Sequence, residues 1–348
     1  MKNLVEQASL WLKSDKCLNG SIVERTNHVV RCFRSYVESE QEEIIKETNL
    51  SLSIILDKVD TTAKTILKIL SSYLRGNHYD ALKMTRDLLR SMKYSQASTN
   101  IPLYKCRENG RMVHFTKDEM FHVPYNKRGF TGNQRFSLAG SPCLYLGGSS
   151  YICWEELGRK DLSTCNYCGY SLLDSINMFD LMLPVAIKDR HQIRKTVLAL
   201  ASSLTAKRED LFKPEYILPQ CILHSLIYRS YYSHQLFCIR YYSSHLFKGD
   251  ADYFNVDFSK EDQLSRYVNY VFPAPSSIED GYNDKLRDGF KQTETISLMH
   301  ETILDPSLLM GACSNDVYLD SQFGLIDSIL DQKLGFESKR KEGCFLIV

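Results

Sequence analysis

The stretch QRFSLAGSPCLYLGGSSYICWEELGR, residues 134–159, decides how this chain is read. Within it Leu144, Tyr145 and Leu146 lie between small and turn-forming residues and predict a short buried strand. GGSS is then a tight turn whose serines can cap a helix, and YICWEELGR is the helix that the turn starts. On that helix Ile152 and Glu156 are four apart and share a face, whereas Glu155 points roughly 100° away. The spacing therefore predicts that Glu156 faces inward beside its apolar neighbour. An inward carboxylate is costly unless it is paired or functional, so Glu156 is the first candidate for chemistry.

Outward from this stretch, short apolar and aromatic runs punctuated by Gly and Pro continue on both sides: IPLYKCR before it, then MFHVPY, and later LFCIRYYSSHLF. Between them the stretch RKTVLALASSLTA has helical character, so residues 101–250 read as strands mixed with helices, an α+β domain. Residues 1–95 have another texture, charged, poor in Gly and without Pro. Ala63, Ile66, Leu67, Leu70, Tyr73 and Leu74 form one helical stripe, RGNHYD at residues 75–80 supplies a stop and a start, and Leu82, Thr85, Leu89 and Met92 form a second stripe. This predicts a domain of three or four helices serving packing, oligomerisation or regulation. SQASTNIP, residues 95–102, reads as the linker. Residues 251–348 read as a C-terminal extension that completes or covers the middle domain, with helical patterning in ETISLMHETIL and GLIDSILDQKLG.

Composition narrows the function. The 348 residues carry 43 Lys+Arg against 42 Asp+Glu, a net charge of +1, with 43% hydrophobic residues. That balance gives no general pull toward nucleic acid or an anionic membrane surface. No apolar run approaches the roughly 20 residues of a membrane span, and the first residues lack a signal-peptide pattern, so a cytoplasmic location is expected. Eleven scattered cysteines suit free thiols in a reducing compartment. Cys165 and Cys168 in TCNYCGY form a lone CxxC with no second pair at zinc spacing, and no metal is expected there. In the tail GCFLIV, Cys344 stands one place too far from the end for a prenylation box. Phosphate-binding loops, GxGxxG, HExxH and GxSxG are all missing.

Tyr104 in the first strand, Arg135 before the Gly-Pro segment, Leu144-Tyr145-Leu146, Glu156 in the EEL helix, Pro219-Gln220 in YILPQCIL, and Ile239-Arg240-Tyr241-Tyr242-Ser243 follow one another along the chain. Their order and spacing resemble the RES family, named for its Arg, Glu and Ser positions, whose members resemble ADP-ribosyltransferase toxins and consume NAD. The resemblance covers about residues 101–250. This sequence departs from the family pattern at Lys105, where Arg follows the first Tyr, and at Cys238, where Gly is usual. Arg107, two residues along the strand and on the same face, is expected to supply the guanidinium, with Lys105 as the alternative.

The resemblance implies a small mixed split sheet of the ADP-ribosyltransferase type around an NAD cleft. NAD is then a substrate rather than a cofactor, and its nicotinamide–ribose bond is the one broken. Breaking that bond develops positive charge on the sugar, which suits a carboxylate at Glu156. Arg107, Arg135 or Lys105 would grip the diphosphate. Tyr145 would stack or hydrogen-bond nearby, Ser243 would orient the ribose or the carboxylate, and Tyr104 and Gln220 would line the substrate site. The acceptor would be water, phosphate or a macromolecule. The expected partners are a neutralising antitoxin or regulatory protein and a second copy of the chain in a homo-oligomer. Two alternatives stay open: transfer of ADP-ribose to a macromolecule, and a non-catalytic interaction module on the same fold. His122 and His224 lie in apolar contexts that suit structural histidines. Tyr228, Tyr231, Tyr232, Tyr241 and Tyr242 lack a Lys/Arg cluster and are expected to pack the sheet rather than stack on bases.

Overall fold

Asn and Gly stops divide the N-terminal helical pattern more finely than its apolar stripes suggest. In the computed structural model, which describes residues 1–110, 114–207, 209–233, 235–247, 254, 256–275, 279–297 and 316–337, residues 4–90 form six helices rather than three or four. They are α1 (Leu4–Leu12), α2 (Asp15–Leu18), α3 (Ile22–Ser39), α4 (Gln41–Thr48), α5 (Leu52–Leu74) and α6 (His78–Arg90). Asn49 ends α4 in the left-handed conformation, and Ser21 with Glu24 forms a capping box that starts α3. The stop and start at residues 75–80 fall as the sequence predicts. Gly76 adopts a φ of 83° and the Asn77 side chain accepts from the amide of Asp80. Ile55, Val59, Ile66, Ile69 and Leu70 of α5 are buried.

The rest of the chain builds one mixed sheet covered by helices. Its strands are β1 (Ser95–Ala97), β2 (Leu103–Glu108), β3 (Cys143–Gly147), β4 (Cys165–Leu172), β5 (Ile176–Asp180), β6 (Phe237–Tyr242), β7 (Val268–Pro273), β8 (Phe290–Gln292) and β9 (Ile296–Ser297). They lie in the order β1-β5-β6-β7-β3-β2-β4-β8, with β9 also on β4. β5 and β6 are parallel and are joined through α8 (Gln192–Ser202) and α9 (Ile217–Ser233), while the other pairs are antiparallel. The architecture is α+β. Ser95–Ala97, read as linker, forms an edge strand on β5, because even a polar segment can pair through its backbone. Residues 268–273, from the C-terminal stretch, lie between β6 and β3; beyond the short helices α10 (Glu261–Ser265) and α11 (Asp284–Asp288), α12 (Gln322–Leu334) packs on β4.

The N-terminal helices dock on the sheet's own helices, α5 against α8 and α9, and α6 against α9. Val197, Leu198, Leu200, Ile217, Ile222 and Leu226 are buried between the layers. Across this junction the buried Arg25 pairs with the buried Glu215 and donates from Nη2 to the carbonyl of Thr205 at 2.6 Å. Cys165 and Cys168 sit on β4 and are buried within the sheet. Among the described residues no cluster of His, Cys, Asp or Glu is arranged to hold a metal ion, and no helix is long and apolar enough to cross a membrane. The tail from residue 338 and residues 298–304 of ETISLMHETIL lie outside the described residues; Ile296–Ser297 of that segment is strand, not helix.

Candidate functional site

The turn after β3 fixes the start of α7 (Ser150–Glu156), the helix that carries both glutamates. A Cβ on Gly148 would come within 2.2 Å of the Ser265 carbonyl oxygen, so only glycine fits here. Its amide donates to the Val268 carbonyl at 2.7 Å, tying the turn to β7. Ser149 caps the helix by accepting from the amide of Ile152 at 3.1 Å, and its hydroxyl donates to the Arg266 carbonyl at 2.8 Å.

The two glutamates exchange the environments that helix periodicity assigns them. Glu155 is 2% exposed, whereas Glu156 is 42% exposed. The four-residue face argument fails because α7 ends at Glu156. The chain then turns through Gly158 and Arg159, both at positive φ, which brings the Arg159 guanidinium back onto Glu155 at 3.0 Å. The His245 ring lies on the other side of Glu155, Nδ1 to Oε2 3.3 Å. Burial raises the Glu155 carboxyl, but hydrogen bonds from His245, Arg159 and Tyr151 outweigh it and hold the group at about 2.

Glu156 stands at the open side of this arrangement. Its Oε1 accepts from Ser243 Oγ at 2.5 Å and from Asn269 Nδ2 at 2.8 Å. Ser243 follows β6 and is wholly buried, and Asn269 lies on β7 opposite Tyr241, so neighbouring strands deliver both donors to one oxygen. The Ser243 hydroxyl also accepts from the His245 amide at 3.2 Å, which fixes its proton toward Glu156.

Several of the other sequence candidates gather here. Tyr241 pairs with Asn269 across β6 and β7, and its ring lies 4.5 Å from that of Phe136, the neighbour of Arg135; burial lifts its phenol well above the ordinary range, Glu156 raises it further and Arg135 lowers it. Arg135 donates from Nη1 to the carbonyls of Ser202 and Leu204, and its guanidinium stacks over Tyr216. Tyr145 shares a 3.0 Å hydrogen bond with Ser137, and Gln220 holds that loop by donating to the carbonyl of Gln134 at 3.0 Å. Glu156, Ser243, Arg135, Tyr145 and Gln220 thus belong to one neighbourhood.

The β2 candidates are turned elsewhere. Lys105 donates to the Phe121 carbonyl at 2.7 Å, and burial, helped by Arg107, pushes its ammonium down to about 7. Arg107 donates to the Glu119 carbonyl and lies over the Phe115 ring. Tyr104 is buried with its hydroxyl on Asp331 of α12. Cys153 donates its thiol to the Tyr104 carbonyl at 3.2 Å; that thiol is raised to about 12 chiefly by burial and also feels Glu156 and Lys105.

The residues that sequence reasoning missed are His245 and Asn269. Neither belongs to a local motif, and only the pairing of β6 with β7 and the turn after β6 bring them to Glu156. His122 is structural: it is 1% exposed, bonded through Nδ1 to Val123 and through Nε2 to the amide of Asn283, and lowered to about 4 by burial. Burial also lowers His224 on α9. Tyr241 and Tyr242 pack in the sheet, but Tyr228 and Tyr232 stand exposed on α9 with Arg86 over Tyr228, a departure from the expected packing of the whole run. Tyr231 shares that helix.

No protein-family model matches the chain, and no solved structure matches it. It is similar to a protein of Bacillus subtilis (strain 168) named "Putative toxin YopC", with 30% identity over 274 residues. That alignment takes in 70% of this chain and 59% of the relative, so the chain spans well under two thirds of the length of the curated protein it matches.

Proposed function

We propose that this protein degrades NAD by cleaving the bond between nicotinamide and ribose, and that it acts as a growth-arresting toxin. The observation that carries the proposal is the half-open Glu156 carboxylate, held by Ser243 and Asn269 through one oxygen. As the glycosidic bond breaks, the ribose gains positive charge that the substrate in its ground state does not carry. A carboxylate already oriented by two neutral donors stabilises that charge without reorganising at the moment of reaction. Tyr145 and Tyr241 supply aromatic surface beside it, and Arg135 supplies a guanidinium whose remaining donors suit a phosphate oxygen. Lys105 and Arg107 sit apart on β2, held by the carbonyls of Phe121 and Glu119, and would serve the diphosphate only by leaving those partners. The toxin reading takes support from the similarity to a protein that bears that word in its name, and a neutralising protein partner follows from it as part of the same proposal.

The test is nicotinamide release from NAD by the purified full chain, with Glu156→Gln beside it, in buffers with and without phosphate. Release that disappears in the variant supports the reading, and dependence on phosphate identifies phosphorolysis. Radiolabel from NAD appearing on a macromolecule, without free ADP-ribose, would replace it with ADP-ribose transfer. Expression of the wild type is expected to arrest growth and deplete cellular NAD, and expression of Glu156→Gln to do neither.

A further inference from the structure

Glu155 and His245 form a carboxylate–imidazole pair next to the Glu156 carboxylate. Glu155 lies 2% exposed with Arg159 on one side, and its Oε2 is 3.3 Å from His245 Nδ1. The other ring nitrogen, Nε2, lies 4.0 Å from Glu156 Oε2, the oxygen that Ser243 and Asn269 do not use. The imidazole is therefore aimed from a buried anchor at the outer oxygen of the candidate catalytic carboxylate. It is 22% exposed, enough to exchange a proton with solvent, and its backbone N–H donates a hydrogen bond to Ser243 Oγ. A buried carboxylate behind a histidine fixes its tautomer and ring plane and stabilises the imidazolium that forms when the far nitrogen takes a proton.

We propose that His245 is the base that accepts the proton of the attacking water, an inference that rests on the NAD-cleavage reading above. The glycosidic bond breaks with its electron pair passing to the nicotinamide nitrogen, which becomes neutral. The water oxygen forms the new bond to the anomeric carbon, and its proton passes to His245 Nε2 and then to solvent. The balance is NAD and water giving nicotinamide, ADP-ribose and one proton. Glu156 stabilises the charged sugar, and Glu155 acts as a positioning residue through His245. The ionisable groups set against the ring are Glu155 and Glu156 of α7, with Arg159 behind Glu155. α1, which packs on the turn containing His245, keeps its Glu6 exposed.

The experiment compares nicotinamide release by wild type, His245→Gln, His245→Ala, Glu155→Gln and Glu156→Gln across pH, with folding checked by circular dichroism. His245→Gln is expected to lower kcat by roughly 10²-fold with little change in KM. It is also expected to remove the fall in rate at acid pH that protonation of a base produces, and added imidazole is expected to restore part of the rate of His245→Ala. Glu155→Gln should lower kcat in the same direction as His245→Gln, because the ring loses its anchor. Wild-type kcat and pH profile in His245→Gln, alongside an inactive Glu156→Gln, would overturn this inference alone. A loss in His245→Gln that leaves the pH profile intact and that imidazole does not repair in His245→Ala would reduce His245 to a structural role and overturn it too. A folded wild type that releases no nicotinamide would overturn the NAD reading and this inference with it.

Discussion

Ser243 and Glu156 are 87 residues apart in the chain and 2.5 Å apart in space, hydroxyl to carboxylate. The bond joins the end of β6 to the last residue of α7, and Asn269 on β7 reinforces it on the same oxygen. Substituting either donor leaves the carboxylate in place but less firmly oriented. Ser243→Ala and Asn269→Ala are each expected to lower kcat for nicotinamide release by roughly 10-fold or more, well short of removing the carboxylate itself. Because both donors act on one oxygen, the double variant should lose less than the product of the single losses, as residues sharing a partner do.

The two neighbouring glutamates should separate activity from stability. Glu156→Gln is expected to abolish nicotinamide release with little change in melting temperature, since the side chain is 42% exposed. Glu155→Gln strips the charge from a buried anchor and removes the carboxylate that Arg159 and His245 both face. It should cost roughly 2–3 kcal/mol, below the value for a fully enclosed pair because Arg159 is 35% exposed. The Glu155 carboxyl is held at about 2 in the folded protein, below its unfolded value, so its contribution is fully present above the unfolded pKa. That contribution is lost as pH falls toward about 2. Denaturant melts between pH 6 and pH 3 should therefore show a steeper acid decline in wild type than in Glu155→Gln.

Lys105 gives a second pH signature with the opposite charge sense. Its ammonium is pushed down to about 7, so the folded protein gains the positive charge only as pH falls through that value. If Lys105 contributes to diphosphate binding, that cation is present below about pH 7 and fades above it. KM for NAD is expected to rise between pH 7 and pH 9 in wild type, and Lys105→Met should flatten that rise while raising KM at pH 6.5. A flat wild-type KM over this range would remove Lys105 from the substrate site and leave Arg107 and Arg135 as the cations.

Much of this arrangement is legible along the chain because it is local. Strand 143–147, the capped turn and the helix ending at Glu156 come from one continuous stretch whose alternation, glycines and serine cap all agree. β6 and the Pro219-Gln220 start of α9 are legible for the same reason. What periodicity gets wrong is the facing of the two glutamates, since a helix of seven residues ends before its period controls the last turn, and Arg159 and His245 decide the outcome from outside the helix. The pairing of β7 between β6 and β3 is non-local and leaves no mark in the 268–273 sequence beyond its apolar run. With it go Asn269 and the position of His245. The polar edge strand at residues 95–97 is hidden for a related reason, because backbone pairing asks nothing of its side chains.

The buried pair of Arg25 and Glu215 sets what the N-terminal helices do for the rest of the molecule. Arg25 on α3 reaches Glu215 just before α9 and also donates to the carbonyls of Cys17 and Thr205, so three segments meet at one guanidinium. Arg25→Ala leaves a carboxylate that is 6% exposed without its cation, which should cost about 3–5 kcal/mol. Removing residues 1–95 goes further, because it bares the apolar faces of α8 and α9 that α5 and α6 cover. The truncated chain is accordingly expected to aggregate or to lack a cooperative melt, and the full chain to unfold in a single transition that Arg25→Ala shifts as a whole. A truncated chain that is soluble, melts cooperatively and keeps its nicotinamide-release rate would instead make the helices a separable module. Only then would their role have to be sought in regulation or assembly.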